Sequence, residues 1–358
     1  MSLLFSRDTK VYLVKDSTTW EIPVLDGFSF SQATNASEIT LNEMESTAGE
    51  SRRARQMFND SYAPAEWSFQ SYARPNTSQP AEDALWASFF YKDAYTGTTA
   101  GPITVAASSW AVTSTASNKS NLGTFDLYFV MGASTDSDEN YADSSTVKIY
   151  KIETCVVNEA SIDFEVDGIA TIAWSGFGKI ITEAASFDGS VAVSRDVDGN
   201  SNYIRNRLTT LSLSASTVGD IAESSYSVTL TGGNITFNNN ITYLTPETLG
   251  EINQPLEHVT GTRSIGGNFT CYIGTGAGES AELFETLIEA TNTITNSFDT
   301  TFTIGGASGP RIVVALPNCH LEIPQHSIED VISLDTTFHA LPTDVDSADE
   351  VTITYRND

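Results

Sequence analysis

Polar and apolar residues alternate along many short stretches of this chain, and clusters of Gly, Asn, Asp and Ser separate the stretches. A period of two puts successive side chains on opposite faces of an extended strand and fits no helix. By this pattern residues 11–14, 67–72, 125–130, 146–152, 161–166, 208–215, 226–230 and 311–315 are strands. Only two segments carry helical spacing. Residues 80–91 begin with Pro80, place Glu82 and Asp83 at the positive end of the helix dipole, and put Leu85, Trp86, Phe89 and Phe90 on one stripe. Residues 278–290 repeat that stripe with Leu283, Phe284, Leu287 and Ile288. The expectation is an all-β fold with two short helices.

The matching stripes belong to a longer series. Gly27, Phe28, Ser29 and Phe30 have a counterpart in Asn234, Ile235, Thr236 and Phe237. Trp67 and Phe69 precede the first helix as Phe269 and Cys271 precede the second, and the pairs Phe125–Asp126 and Phe298–Asp299 follow the helices. Cys155 precedes Trp174 by the same 19 residues that separate Cys319 from Phe338, with Glu165 and Glu329 in register between them. The series reads as two copies of one β-rich unit, residues 1–180 and 181–358, joined near 181–200. From helix to cysteine the first copy takes 70 residues (Leu85 to Cys155) and the second 36 (Leu283 to Cys319). The first copy therefore carries an insertion at about 96–145, rich in Gly, Thr, Ser and Ala at 96–121 and acidic at Asp136, Asp138, Glu139 and Asp143. It reads as a surface elaboration.

Charge excludes a class of function. With 18 basic and 46 acidic residues the net charge is −28, and a chain this acidic gains no binding energy by neutralising phosphates. With 40% hydrophobic and 10% aromatic residues it has ample material for a core, so the charge does not signal disorder. No apolar run is long enough to span a membrane, and residues 1–5 are too short and insufficiently basic for a secretory signal. Cys155, Cys271 and Cys319, odd and sparse, are expected as buried free thiols of a chain that matures inside a cell.

Catalytic signatures are missing: there is no P-loop, nucleophile elbow or His-Glu-x-x-His. Cys319, His320 and His326 lack a fourth spaced metal ligand, and the first two point to opposite faces of a strand. Asp196, Asp198 and Asn200 begin like a calcium loop, but Ser201 and Arg207 stand where Gly and Glu are needed. A basic cluster, Arg52, Arg53 and Arg55, follows Glu43, Glu45 and Glu50 in a long connection at residues 42–63. It is either a solvated loop with local ion pairs or an arm that docks on an acidic surface of another copy, where Arg makes forked bonds to carboxylates.

The segment 323–342, IPQHSIEDVISLDTTFHALP, closing with Glu350, Val351, Thr352, Ile353, Thr354 and Tyr355, resembles the C-terminal part of the major tail tube proteins of long, non-contractile-tailed (siphovirus-type) bacteriophages. NYIRNRLTTLSL at 202–213 and WEIPVLDGFSFSQ at 20–32 have the same character. The resemblance implies β-sandwich units, each with one flanking helix, whose strands join those of neighbours in a barrel around a channel. It also implies arms, here 42–63 and a shorter one at 250–261, that contact the next ring. The apparent duplication departs from the single-unit pattern and implies rings of three chains with pseudo-sixfold symmetry. The expected function is structural, not enzymatic: a tail tube assembled in the host cytoplasm and carried in the virion. Its partners would be further copies of itself and the tape measure, tail terminator and distal tail proteins. Double-stranded DNA would be only a transiting cargo, with no cofactor and no membrane involved. Which acids line the channel is not legible in the sequence. Other ring-forming tail components, and a carbohydrate-binding or hydrolysing β-sandwich, are the alternatives.

Overall fold

The computed structural model describes residues 3–39, 55–75, 81–90, 103–106, 109–113, 122–133, 139–190, 203–217, 225–289, 297–328, 330–345 and 347–357. The first half contains β1 (Thr9–Lys15), β2 (Thr18–Ile22), β3 (Ser29–Ile39), β4 (Gln56–Tyr72), α1 (Ala81–Phe90), β5 (Ile103–Ala106), β6 (Ser109–Thr113), β7 (Phe125–Met131), β8 (Asn140–Ala142), β9 (Lys148–Glu165), β10 (Thr171–Gly178), β11 (Ile181–Glu183) and β12 (Ser186–Asp188). The second contains β13 (Thr210–Thr217), β14 (Ser225–Ser227), β15 (Leu230–Asn238), β16 (Thr242–Leu244), β17 (Glu257–Val259), β18 (Ser264–Tyr272), α2 (Ser280–Glu289), β19 (Ser297–Ile304), β20 (Pro310–Leu321), β21 (Gln325–Ile328), β22 (Ile332–Ala340) and β23 (Thr352–Asn357). The fold is all-β with two short α-helices among the described residues, and its strand ladders are antiparallel.

The two halves carry the same set of ladders. β1 pairs with β2 and β7, β7 with β9, β9 with β10 and β11, and β4 with β3 and β10. β13 pairs with β14 and β19, β19 with β20, β20 with β22 and β23, and β18 with β15 and β22. Even an irregularity recurs: the register shifts immediately after Phe125↔Cys155 and again immediately after Phe298↔Cys319.

Anchored on these cysteines, the ladders correct the residue-level matching. Phe69 lies opposite Trp174, and Phe269 lies opposite Thr336. The counterpart of Phe69 is thus Phe269, and that of Trp174 is Thr336 and not Phe338. A two-residue slip leaves every side chain on its own face, so alternation cannot detect it.

The long strands β9 and β20 link two layers. The first part of β9 pairs with β7 and its last part with β10. The main hydrophobic core runs through both halves, from Leu13, Trp20 and Phe129 through Trp67, Trp86 and Trp174 to Phe269, Phe302 and Phe338; smaller clusters form around Tyr12, Tyr141 and Phe187 and around Val156 and Tyr243.

Three sequence expectations change in detail. Residues 146–152 and 161–166 lie largely on one strand, β9, while residues 226–230 straddle β14 and β15. The connection at 42–63 is β4 from Gln56 onward, paired with β3. Within the insertion, β5 and β6 form a hairpin whose second strand pairs with β23, the last strand of the chain, and Val112 is buried. The insertion is therefore sewn into the sheet of the opposite half.

Candidate functional site: a polar sheet face with two open edges

Eight strands form one continuous sheet in the order β3, β4, β10, β9, β15, β18, β22, β21. Its central seam, β9 against β15, joins the halves through Ile162↔Ile235 and six further residue pairs. Alternation divides the sheet cleanly. Trp67, Phe69, Trp174, Ile162, Phe164, Ile235, Phe269 and Phe338 face the core. Their neighbours Ser68, Ser161, Ser175, Asn234, Thr236, Asn268 and Thr337 face the other way and are half-buried or exposed.

That polar face carries five carboxylates, Glu66, Glu159, Asp163, Glu165 and Asp335. Across segments 29–31, 66–72, 159–165, 171–175, 234–238, 266–272, 325–328 and 333–339 there is no Lys or Arg. Asp163 titrates above the ordinary carboxylate range, first because the strand bed desolvates it and then because Glu165 stands two residues along the same face. The cross-strand neighbours of these acids are neutral: Asp163 meets Thr171 and Asn234, Asp335 meets Thr270, and Glu159 meets Ser175 and Asn238.

The sequence marked Glu165 only as a landmark of the repeat and singled out none of the five as an acid of this face, although a signal for most of them was present. Glu66, Asp163, Glu165 and Asp335 each stand beside a large apolar residue, as in Ile162, Asp163, Phe164, Glu165, which marks a strand with one buried face and one acidic face.

The sheet ends in two open edges. Among the described residues β3 pairs with β4 alone and β21 with β22 alone. β21 is exposed along its whole length, and Ile328 is 78% exposed.

Beyond Gln32 the β3–β4 pair leaves the body of the protein as a ribbon, through register shifts at Gln32/Thr34 and Asn35/Ala36. It exposes Ile39, Met57 and Phe58. Of the basic and acidic cluster, Glu43, Glu45, Glu50, Arg52 and Arg53 lie outside the described residues. Arg55 immediately precedes β4 at the far end of the ribbon, largely exposed, with its guanidinium 3.3 Å from Glu38 on β3. The other suspected arm meets this ribbon, since the Tyr62 N–H donates to the Asn253 carbonyl and the Asn253 N–H to that of Asp60. Leu249, Ile252 and Leu256 are exposed on that second loop.

The remaining candidates do not converge. Cys155, Cys271 and Cys319 are buried free thiols, and burial raises all three thiol pKa values. Cys319 faces the core, whereas His326 packs edge-on against Phe284. No cluster of His, Cys, Asp and Glu suited to a metal ion occurs among the described residues. Asp196, Asp198, Asn200 and Ser201 lie outside them, and Arg207 pairs with Asp167 at 3.5 Å. Among the described residues no helix is long and apolar enough to cross a membrane.

Residues 78–340 match the family model described as phage tail tube protein. The chain is 29% identical over 372 residues to a protein of Escherichia phage T5, tail tube protein pb6, with 98% of this chain and 75% of that protein covered. The chain belongs to the phage tail tube protein family and is a structural component of the virion tail, not an enzyme.

Proposed function

We propose that the chain consists of two tandem tube units, 1–180 and 181–358, and that three chains close into a pseudo-sixfold ring whose stacked copies form the tail tube. In this reading the eight-stranded sheet is one third of a barrel wall, and its polar face lines the channel. The observation that carries it is that face: five carboxylates set among Ser, Thr and Asn, with no Lys or Arg in the strand segments that form it. A dense sheet surface of this kind offers DNA phosphates no cation to release counterions against, so a duplex passes without sticking. Closing a barrel between chains also removes the open edges, which an isolated sheet would expose to aggregation.

The exposed ribbon of β3 and β4, with the loop around Asn253, supplies the contact to the next ring. Glu43, Glu45, Glu50, Arg52, Arg53 and Arg55 then pair with carboxylates or cations of the neighbouring ring. Tape measure, terminator and distal tail proteins meet the tube inside and at its ends.

Negative-stain electron microscopy of the concentrated protein tests this reading. Hollow tubes or stacked rings with three- or sixfold end views are expected. Single rings that never stack would instead favour a terminator or distal-ring role.

A further inference from the structure

The seam inside the chain contains the plan of the contact between chains. β15 is the second-half counterpart of β3, because each is the hairpin partner of the strand preceding a helix. The end of β9 is in the same way the counterpart of β21, each flanking the strand that closes its half, β10 or β22. β15 and β9 are paired within the chain, whereas β3 and β21 end the sheet.

We propose that β3 of one chain pairs antiparallel with β21 of the next, in the register that β15 makes with β9. The proposal rests on the ring reading and specifies its contact. Transferring the ladder by way of the matched registers puts Phe28 opposite Ile328, Ser29 opposite Ser327, Phe30 opposite His326 and Ser31 opposite Gln325. Side-chain character fits on both faces. Ser29, Ser31, Ser327 and Gln325 extend the polar face, while Phe28, Phe30 and Ile328 continue the core-facing row. The contact is head-to-tail, so it propagates from chain to chain and does not stop at a dimer.

The helices give an independent reason that the occupant is a second copy. α1 lies under the internal seam: Trp86 meets Phe237 of β15 with ring centroids 5.0 Å apart, and the Asn239 amide donates to the Phe89 carbonyl at 3.0 Å. All of its described residues are buried. α2 carries the same stripe beside β21 and touches it through Phe284 and His326, centroids 4.3 Å apart, yet it is only half covered. Phe90 is 2% exposed and its counterpart Ile288 is 46% exposed. What covers α1 is the second unit of the same chain. The equivalent cover for α2 is the first unit of another chain, which brings Phe30 to the position that Ile235 holds in the seam.

Paired single-cysteine variants test the register. Directly opposed strand positions lie within disulfide reach, and positions offset by two do not. The native thiols are buried and do not compete. Ser29→Cys mixed with Ser327→Cys, and Ser31→Cys mixed with Gln325→Cys, are expected to give one disulfide-linked dimer each on mild oxidation. Ser29→Cys mixed with Gln325→Cys should give at least tenfold less, and each variant alone should give none. Rings or tubes visible by microscopy without the matched cross-links would overturn this ladder and leave the tube reading standing. Mixtures that neither cross-link nor assemble at any concentration would overturn both.

Discussion

Trp86 of α1 and Phe237 of β15 meet edge-on with ring centroids 5.0 Å apart, although 151 positions separate them in the chain. Trp86 is also edge-on to Trp174 at 4.8 Å and donates its indole N–H to the Tyr355 hydroxyl at 2.8 Å. One buried indole thus ties the helix of the first half to a strand of its own half and to two strands of the other.

The two halves should consequently unfold together. Denaturation followed by tryptophan fluorescence and by far-UV circular dichroism is expected to give one coincident transition. Phe237→Ala should lower stability by about 3–5 kcal/mol, as expected for removing a buried phenyl ring. Two separated transitions would show that the seam is not cooperative.

Glycines make a second, sharper test of the sheet. A Cβ at Gly176 would lie 2.0 Å from the Val156 carbonyl oxygen and 2.6 Å from the Trp67 ring, whereas one at Gly232 meets nothing closer than 3.5 Å. Gly176→Ala is expected to cost about 2–3 kcal/mol through forced movement of a packed indole and a strand. Gly232→Ala should stay within about 1 kcal/mol of wild type. Equal melting temperatures for the two variants would contradict the packing at β10.

Lys15 gives a pH signature. Its ammonium is buried and donates to the Ser88 hydroxyl at 3.1 Å, and burial lowers its pKa from 10.5 to about 8 against the pull of Asp16 and Asp83. Below pH 8 both folded and unfolded chains hold the proton, so the burial cost of about 3 kcal/mol is present in full. Between 8 and 10.5 the unfolded chain binds more protons, and stability contributed by this group rises with pH. Relative to Lys15→Met, the wild type should therefore gain about 2–3 kcal/mol between pH 7.5 and 10.5 in urea titrations. A flat difference would mean that Lys15 titrates normally.

Reversing charge on the polar face should convert a passive wall into a sticky one. Tubes carrying both Glu159→Lys and Asp163→Lys are expected to retain short duplex DNA present during assembly. Retention should fall steeply between low and moderate salt, as phosphate neutralisation requires. Wild-type tubes should retain none. Variant tubes that also retain none would place these two residues away from the channel.

Local features were readable in the sequence because their causes are local. The alternation of Ile162, Asp163, Phe164 and Glu165 marked a strand, and Pro80 with Glu82 and Asp83 marked a helix start within one residue of Ala81. Non-local features stayed hidden. Nothing in residues 109–113 indicates that they pair with 352–356, since edge pairing depends on which free edge the rest of the fold presents. The Arg74–Glu82 ion pair at 3.4 Å is likewise buried, which eight residues of spacing do not reveal. Glu165 stood out only as a landmark of the repeat, and nothing marked Glu66, Glu159, Asp163 or Asp335 among 46 acidic residues until the sheet aligned all five on one face.

The central claim is that each chain supplies two of six equivalent positions in a ring, and native mass spectrometry of the smallest closed assembly tests it most directly. Three chains of 38.6 kDa predict a species of 115.8 kDa. A closed ring of six chains, at twice that mass, would contradict the account by requiring that the internal β9–β15 seam is not the template for the contact between chains.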